Sequence, residues 1–377
     1  MTSPGCGAPP VSFPKDDEAR RGCACPADGA KQAYVQGADA LNFPSRIFTD
    51  VDYEKDGKQV GWLYLPYSVT RSAYGNIAIP VAVVQNGDGP SVLLMAGNHG
   101  DEFEGQIGLC KLIRTLEPRD MRGRVIALPG INLPAALAGA RVSPLDNVNF
   151  NRAFPGDPNG TPTYAIAHYV DSVLFPMVSA FLDLHSGGSS LDYIPFVSMR
   201  TSGDAALDAR AMAALTAFGA PVGMVWAHTI DAGFAQTAAL RHGLVSLGGE
   251  FGGGGSVSTA GLRIVERGIR RFLIHAGCMP KESLPTEAPP ATRVVEVRNR
   301  EYFVLAPDVG LFEPLVALGE TVEAGDACGQ VHFVDNPGRE AVLARFRTSG
   351  TVISQRHFGR VERGDCVAHL ATDWKGW

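Results

Sequence analysis

A histidine and a glutamate three residues apart, His99 and Glu102, are the side chains of this chain that most clearly suggest chemistry. They follow the apolar stretch Ser91 to Ala96, which predicts a buried strand ending at Gly97. An imidazole nitrogen and a carboxylate oxygen at a strand-to-helix turn can bind one metal ion, and zinc takes such ligands. Zinc hydrolysis is therefore the leading hypothesis, although a lone His-x-x-Glu pair is a weak motif.

A third metal ligand is expected on another strand end, because catalytic zinc usually has three protein ligands and keeps a fourth position for water. His185 fits this expectation, since the apolar run Val178 to Leu184 predicts a buried strand and two glycines follow the histidine closely. Asp183 is expected to orient a zinc ligand. The alternative for His185 alone is a strand-end histidine bonded to a backbone carbonyl, but His99 and Glu102 favour the metal site.

Hydrolysis also requires a base and a cation that stabilises the oxyanion. Glu250 ends another apolar run and is surrounded by six glycines, which makes it the candidate base; the alternative is a surface carboxylate in a loop. Arg141 and Arg152 are candidate cations, since a guanidinium binds carboxylate through two parallel hydrogen bonds. Arg152 follows Asn151, a further polar candidate.

Together these motifs resemble the succinylglutamate desuccinylase/aspartoacylase family, relatives of the zinc carboxypeptidases. The resemblance runs from about Val51 to the C-terminus and rests on four motifs in order: His99-Gly-Asp-Glu102, Asn151-Arg152, Asp183-Leu-His185 and Glu250. Within the family, stretches such as Leu65-Pro-Tyr-Ser and Leu273-Ile-His-Ala-Gly are more similar to the bacterial branch that deacetylates Nα-acetyl-L-2,4-diaminobutyrate in ectoine breakdown.

The resemblance implies roles for these residues. It makes His99, Glu102 and His185 the ligands of one zinc ion per chain, and Glu250 the general base and acid.

It also implies that Arg141 polarises the scissile carbonyl and that Asn151 and Arg152 hold the α-carboxylate of an N-acyl amino acid. Two features depart from the aspartoacylase pattern. Asn149 stands where aspartoacylases tend to carry an acidic residue, and the loop from Arg141 to Arg152 is longer.

The expected reaction is hydrolysis of the amide bond of an N-acyl amino acid, with Nα-acetyl-L-2,4-diaminobutyrate as the first candidate substrate. Asp192 or Asp231 would then pair with its cationic side chain. The alternatives are deacylation of another N-acyl amino acid, a zinc carboxypeptidase on short peptides, and a non-catalytic binding protein. The family resemblance also predicts a homo-oligomer, a dimer or a tetramer.

Composition excludes several other classes of function. A formal net charge of −6 and the lack of basic clusters with interleaved aromatics argue against nucleic-acid binding. No apolar run is long enough to span a membrane, and the N-terminus lacks the apolar region of a secretory signal. We therefore expect a cytoplasmic enzyme without membrane or nucleic-acid partners.

The seven cysteines favour reduced thiols over a disulfide framework. We expect core thiols at Cys110, Cys278, Cys328 and Cys366. The other three, Cys6, Cys23 and Cys25, cluster in the N-terminal segment with a spacing that makes a poor zinc site.

Apolar strands alternate with helical patterns over the middle of the chain, which predicts an α/β fold with a zinc-carboxypeptidase-like mixed sheet flanked by helices. Expected helices are 102–116, 163–177, 205–218, 232–242 and 258–275. Expected strands include 91–96, 124–128, 178–184 and 222–226, with a hairpin at 60–67 and 77–84 at the sheet edge. The candidate site residues then lie at strand ends or in the loops beyond them, where open α/β sheets bind ligands.

Three regions are expected along the chain. Residues 1–45 form an N-terminal extension that is predicted to be flexible, and residues 46–285 form the zinc hydrolase domain. A proline-rich linker follows at 280–290. Short strand-like pieces then predict a smaller C-terminal β-domain, barrel-like, at residues 291–377. The stretch Gly310-Leu-Phe-Glu-Pro-Leu-Val resembles a half-repeat of biotinyl/lipoyl-like barrels. No lysine occupies the hairpin position that those carriers modify, which argues against a carrier role.

Overall fold

A long mixed sheet runs through the protein, and helices cover its faces. We analyse a computed structural model, which describes residues 45–227, 232–283 and 291–376. The predicted N-terminal extension, with Cys6, Cys23 and Cys25, lies outside these residues. Residues Pro44–Trp377 cluster as one compact unit.

The helices of the described residues are α1 (Phe103–Thr115), α2 (Leu133–Ala138), α3 (Pro162–Tyr169), α4 (Ala205–Phe218), α5 (Ala235–Arg241) and α6 (Thr259–His275). The strands before residue 284 are β1 (Phe48–Thr49), β2 (Gly57–Pro66), β3 (Asn76–Asn86), β4 (Ser91–Ala96), β5 (Gly123–Leu128), β6 (Ala180–His185), β7 (Leu191–Tyr193), β8 (Phe196–Arg200), β9 (Val222–Trp226) and β10 (Val245–Glu250). The strands after residue 290 are β11 (Arg293–Val297), β12 (Phe303–Leu305), β13 (Gly310–Pro314), β14 (Thr321–Val322), β15 (Ala327–His332), β16 (Val342–Arg345), β17 (Gly350–Arg356), β18 (Arg360–Val361) and β19 (Cys366–Asp373).

The centre of the sheet is parallel. Strands β5, β4, β6 and β10 lie side by side in that order and run in the same direction. On one side the antiparallel hairpin of β2 and β3 continues the sheet. On the other side β8 runs antiparallel to β10, followed by β9 and β11. Because β4, β6 and β10 are adjacent and parallel, their carboxyl ends meet at one edge of the sheet.

The two faces of the sheet build separate hydrophobic cores. In β4, Val92 and Leu94 pack into the core that also contains the buried faces of α1, α4 and α6. The alternate residues Leu93 and Met95 pack on the opposite face, with α3, α5 and the β2–β3 hairpin. A strand buried on both faces explains why Ser91–Ala96 is a nearly continuous apolar run.

The C-terminal residues form an antiparallel β region that is joined to the main sheet. A separate four-stranded sheet has the order β16, β15, β13, β18. In the long sheet, β19 pairs with β11, and β17 pairs with β7 of the preceding α/β region. The predicted fold class, a mixed sheet flanked by helices with a C-terminal β region, is confirmed. The domain boundaries near residues 285 and 291 stay predictions.

Several elements agree with the sequence, and others correct it. Strands 91–96 and 222–226 and helix 205–218 have the predicted bounds. The helix expected at 163–177 is α3 followed by a π turn, Val170–Leu174, and a 3-10 turn, Phe175–Met177. Strand β8 and helix α2 were not predicted. The four cysteines in the described part of the chain are free, but Cys110 is exposed on α1 rather than in the core. Among the described residues, no helix is long and apolar enough to cross a membrane.

Gly268 of α6 provides a test of the helix layer. An added Cβ at this position would lie 2.1 Å from the Phe218 ring of α4, which is fully buried. Alanine normally stabilises a helix interior by about 0.5–1 kcal/mol relative to glycine. Here we expect Gly268→Ala to lower the free energy of unfolding by about 1–3 kcal/mol, because a packed core resists overfilling. Urea denaturation measures the change. Adding Phe218→Leu should recover part of the loss, and a Gly268→Ala variant as stable as wild type would contradict this packing.

Candidate active site

His99 and Glu102 lie in the turn between β4 and α1. Gly97 begins this turn with a φ of +68°, a conformation that favours glycine. Glu102 immediately precedes α1, and its side chain is buried. The Nδ1 atom of His99 lies 2.6 Å from Glu102 Oε1. The turn therefore directs both side chains to one point at the edge of the sheet.

His185, the last residue of β6, completes this cluster. Its Nδ1 atom lies 2.7 Å from Glu102 Oε2, so the two oxygens of Glu102 face two different imidazoles. The other ring nitrogen of His185, Nε2, lies 2.9 Å from Asp183 Oδ2. Asn98 donates a hydrogen bond of 3.3 Å to the same Asp183 oxygen. Asp183 thus contacts and orients the His185 ring.

The hydrogen bonds of the two Nε2 atoms determine how both imidazoles face Glu102. His99 Nε2 lies 3.1 Å from Asn149 Oδ1, as His185 Nε2 lies beside Asp183. Because amide and carboxylate oxygens only accept hydrogen bonds, each Nε2 carries a hydrogen, so Nδ1 is the ring nitrogen that faces Glu102 and could bind a metal. One possible ligand atom of each of the three residues lies within 4.8 Å of the others. This buried donor set fits a zinc ion.

The charges within the cluster reinforce one another. Burial raises the pKa of Glu102, but the charges of the two histidines outweigh burial and hold that pKa below its ordinary range. Burial lowers the pKa of His185, whereas the charges of Asp183 and Glu102 raise it well above its usual value. A buried carboxylate between two imidazoles is thus maintained in its ionised form, which is the form that binds a metal cation.

Two further carboxylates hold the loop that follows β6. Asp101 Oδ2 accepts hydrogen bonds from the backbone nitrogen and the hydroxyl of Ser189, at 2.7 and 2.6 Å. Glu104, fully buried, accepts from the Ser186 hydroxyl at 2.5 Å and from the Ser258 backbone nitrogen at 2.7 Å. The start of α1 therefore contributes carboxylates both to the cluster of Glu102 with the two histidines and to the loop that supports it.

Glu250 ends β10 and lies beside the cluster. Parallel pairing of β10 with β6 places Glu250 in register with His185. Its Oε2 atom is buried and has no hydrogen-bond partner among the described residues. Burial, and after it the charge of Glu102, raises the pKa of Glu250 well above the usual carboxyl value. A carboxyl group with an unpaired oxygen and a raised pKa is suited to accept a proton and return it.

Arg141 also reaches the cluster. Its Nη1 atom lies 3.3 Å from Glu102 Oε1 and 3.4 Å from His99 Nδ1, while its side chain remains partly exposed to the cavity. A guanidinium at this position can stabilise negative charge that develops on a substrate oxygen.

Asn151 and Arg152 lie in the 3-10 turn Phe150–Arg152. The Asn151 side-chain oxygen accepts a hydrogen bond of 2.9 Å from the backbone nitrogen of Ala235, the first residue of α5. Arg152 donates to the Asn151 carbonyl at 2.8 Å, and its guanidinium carbon lies 4.2 Å from the centre of the Phe234 ring. The pair is therefore anchored against the start of α5.

All seven predicted site residues line one cavity of about 440 Å3. The structure therefore brings together His99, Glu102, Arg141, Asn151, Arg152, His185 and Glu250. The C-terminal region contributes Phe303, Arg356 and Cys366 to the wall. This volume is typical of a site for a small molecule.

Sequence analysis missed several lining residues that could bind or position an anion, among them Arg200, Arg356 and Phe234. Arg200 ends β8, the strand that was not predicted. Phe196, Ser198 and Arg200 all line the cavity, as expected for alternate residues on one face of a strand. That period of two was the available signal, but the segment is short and follows Pro195.

The acids expected to meet a cationic substrate side chain are not found in the described cavity wall. Asp192 is paired with His357, because the His357 Nδ1 atom lies 2.8 Å from Asp192 Oδ2. Asp192 does not line the cavity. Asp231 lies outside the described residues.

Comparison with known proteins agrees with this geometry. Residues 88–276 match the succinylglutamate desuccinylase/aspartoacylase catalytic domain. The N-alpha-acetyl-L-2,4-diaminobutyric acid deacetylase of Halomonas elongata is 41% identical over 328 residues, which cover 87% of this chain and 95% of that protein.

Two solved structures are similar over nearly the whole described fold. A succinylglutamate desuccinylase/aspartoacylase from Rhodobacter sphaeroides has 42% identity and a TM-score of 0.83, covering 88% of this chain and all of that one. The product-bound ectoine utilisation protein EutE (DoeB) from Ruegeria pomeroyi has 39% identity and a TM-score of 0.83, covering 87% of this chain and 99% of that one. This chain belongs to the succinylglutamate desuccinylase/aspartoacylase family.

Proposed function

We propose that this protein is a zinc-dependent deacetylase that hydrolyses Nα-acetyl-L-2,4-diaminobutyrate to L-2,4-diaminobutyrate and acetate, a step of ectoine degradation. The observation that carries the proposal is the convergence of His99, Glu102 and His185 beside the unpaired, buried carboxyl group of Glu250. The substrate is suggested by the names of the similar proteins from Halomonas elongata and Ruegeria pomeroyi.

His99, Glu102 and His185 would hold one zinc ion per chain. The fit is supported by the three converging donor atoms and by the outer partners of both histidines, Asn149 and Asp183. When bound there, zinc would act as a Lewis acid that polarises the acyl carbonyl and acidifies water.

The remaining residues have separate tasks in this proposal. Glu250 takes the proton of the attacking water on its unpaired Oε2 and returns it to the leaving amine nitrogen. Arg141 stabilises the negative charge on the acyl oxygen. Asn151 and Arg152 bind the α-carboxylate, so that the amide bond of the substrate lies between these two residues and the proposed metal ligands.

The volume of the cavity supports a small substrate rather than a peptide. Phe303 and Arg356, from the C-terminal region, line it together with residues of the main sheet. A carboxypeptidase on short peptides would need an open cleft for the residues that precede the cleaved bond. We further propose, from the family resemblance, a cytoplasmic homo-oligomer, a dimer or a tetramer.

A panel of substrates tests the proposed function directly. Zinc-loaded protein should release primary amine from Nα-acetyl-L-2,4-diaminobutyrate faster than from the Nα-acetylated forms of aspartate, glutamate, ornithine and lysine, and faster than from dipeptides. Zinc content is measured on the same samples. Release from dipeptides alone would instead favour a carboxypeptidase, and release from none of these compounds by zinc-loaded protein would reject both activities.

The Glu250→Gln variant tests the proton-transfer role. The amide keeps the shape of the side chain but cannot take a proton, so kcat should fall by about 10²- to 10⁴-fold while the bound zinc is retained. Amine release and metal analysis measure the two properties. Glu266→Gln is the matched control, because Glu266 lies on the surface of α6 paired with Lys111. Turnover near the wild-type value in Glu250→Gln would show that another group carries the proton.

The metal site is tested with two substitutions. His185→Ala removes a proposed ligand and should abolish stoichiometric zinc binding. Asp183→Asn keeps His185 but replaces the carboxylate that accepts the His185 Nε2 hydrogen with a weaker acceptor. Zinc affinity should therefore fall by about 10- to 100-fold. Competition with a chelator measures the affinity. His275→Ala, on the exposed end of α6, serves as the control. Unchanged zinc affinity in both active-site variants would place the metal elsewhere.

A further inference from the structure

Phe196 of β8 lies beside Glu250 and His185, in a row that crosses three strands. The parallel pairing of β10 with β6 sets Glu250 in register with His185, and the antiparallel pairing of β10 with β8 sets Phe196 in register with Glu250. Residues in register lie on the same face of a sheet, about 5 Å apart from one strand to the next. All three residues line the cavity. Phe196 is thus next to the carboxyl group that is proposed to transfer the proton.

Tyr193 of β7 adds a second ring to this part of the cavity wall. Its ring centre lies 5.6 Å from that of Phe196, and the two ring planes meet at 78°. A Cβ added at Gly187, two residues after His185, would lie 3.1 Å from Tyr193 Cδ2, so the ring packs against the backbone that follows the histidine. Burial, and after it the charge of Glu250, raises the pKa of Tyr193 well above its ordinary value, so the phenol is neutral. Tyr193 and Phe196 therefore present an uncharged aromatic wall beside Glu250.

Other rings pack behind Tyr193 and limit its movement. The His369 ring is buried, and its centre lies 5.4 Å from that of the Tyr193 ring. The centres of the Phe303 and Trp226 rings lie 5.1 and 6.1 Å from that of His369. Burial lowers the pKa of His369 to about 4, so this ring is neutral near pH 7. Packed interiors have few voids into which a side chain can withdraw. The wall formed by Tyr193 and Phe196 is therefore held in place.

Strand β8 also shows in which direction the cavity extends. Phe196 and Arg200, on one face of the strand, both line the cavity and are separated by about 13 Å, since a strand rises about 3.3 Å per residue. The guanidinium carbon of Arg200 lies 4.3 Å from the centre of the Phe234 ring, and that of Arg152 lies 4.2 Å from it. Arg152 thus lies near the Arg200 end of β8 and away from Phe196.

The amide bond of the proposed substrate separates its acyl group from its α-carboxylate. In the proposed function Arg152 binds the α-carboxylate, so the acyl group points away from Arg152. His99 lies toward the turn that carries Arg152, because its Nε2 atom is 3.1 Å from Asn149 Oδ1. His185 lies toward Tyr193, because the segment after it packs against that ring. An acyl group that extends past the two histidines therefore meets the aromatic wall.

One guanidinium lies near this wall. Arg356 lines the cavity, and its strand β17 pairs with β7, which carries Tyr193. The Nη2 atom of Arg356 lies 3.0 Å from Asp365 Oδ2. This ion pair reduces the attraction of Arg356 for a second carboxylate, so we expect an uncharged acyl group at the wall.

We propose that Tyr193 and Phe196 form the end wall of the acyl pocket and limit the acyl group of the substrate to a short, uncharged chain such as acetyl. The inference rests on the proposed function, because it assigns the acyl end of that substrate. Both residues determine specificity by their volume, and neither transfers a proton or binds the metal.

The test compares two acyl groups on one amine, the Nα-acetyl and Nα-butyryl derivatives of L-2,4-diaminobutyrate. We expect wild type to have the higher kcat/KM for the acetyl compound. Phe196→Leu and Tyr193→Leu should each raise the butyryl-to-acetyl ratio of kcat/KM about 10-fold, because one methylene in an apolar pocket changes discrimination by about 10- to 200-fold. Both substrates are measured on one sample, so the ratio does not depend on the fraction of folded protein. An unchanged ratio in both variants, or a wild type that prefers the butyryl or the succinyl derivative, would overturn the proposal.

A third substrate separates the acyl pocket from a pocket for the amino-acid side chain. Nα-acetyl-L-ornithine has the same acyl group and one more methylene in the amine half. Its kcat/KM relative to that of the acetyl diaminobutyrate compound should be the same in wild type and in both leucine variants. A change as large as that of the butyryl ratio would place the two rings at the side chain and reject the proposal.

Two control variants separate pocket volume from general packing. Phe181→Leu makes the same substitution on β6, where Phe181 is fully buried and does not line the cavity. It should leave the butyryl-to-acetyl ratio unchanged. Tyr193→Phe keeps the ring and should also retain the wild-type ratio. A ratio in Phe181→Leu that rises as much as in Phe196→Leu would count against a specific wall.

Binding without turnover distinguishes failure of this inference from failure of the proposed function. Calorimetry on zinc-loaded Glu250→Gln measures the affinities for the acetyl and butyryl compounds. We expect Phe196→Leu, added to this variant, to raise the butyryl-to-acetyl affinity ratio about 10-fold. Wild type that deacetylates, with no shift of either ratio in the leucine variants, would reject the acyl pocket alone. Inactive wild type with the predicted shift in binding would reject only the deacetylase assignment, and inactive wild type without that shift would reject both.

Discussion

The buried carboxylate of Glu102, shared between the Nδ1 atoms of His99 and His185, is the interaction on which the site depends. A carboxylate taken out of water is costly unless it is paired and hydrogen-bonded, so this charge requires its partners to be held in place. The Ser186 backbone nitrogen and Arg141 supply further contacts to the same group. The strand order satisfies this requirement, because β4 and β6 are adjacent and parallel and end at the same edge.

The order of strands also explains which carboxyl group lies beside the cluster of His99, Glu102 and His185. Strand β10 extends the parallel set by one position and ends at Glu250, in register with His185. The neighbouring strand β8 runs in the opposite direction, so it contributes its face rather than its end. The cluster of His99, Glu102 and His185 and the carboxyl group of Glu250 therefore occupy the edge of the sheet, while Arg200 lies farther along the cavity wall.

Sequence patterns located the cavity residues that lie at the ends of buried strands but not Arg200 and Phe234, for physical reasons. A strand buried on both faces is a continuous apolar run, and the glycines after His185 and around Glu250 mark where such strands end. Motifs at those ends are therefore visible without a structure. Arg200 and Phe234 have no such motif, because they contact each other across the packing of β8 against the segment before α5. Those contacts depend on tertiary packing, which local periodicity does not encode.

The loop after His185 is held from both sides, and this bears on how the site binds its substrate. Asp101 bonds Ser189 from the α1 side. From the C-terminal side, the backbone nitrogen of His357 donates to the Ser190 carbonyl at 2.9 Å, and β7 pairs with β17. Association costs less when the binding groups are already ordered, because fewer side chains and loops lose conformational freedom. The C-terminal β region therefore does more than line the cavity: it orders the segment that follows His185.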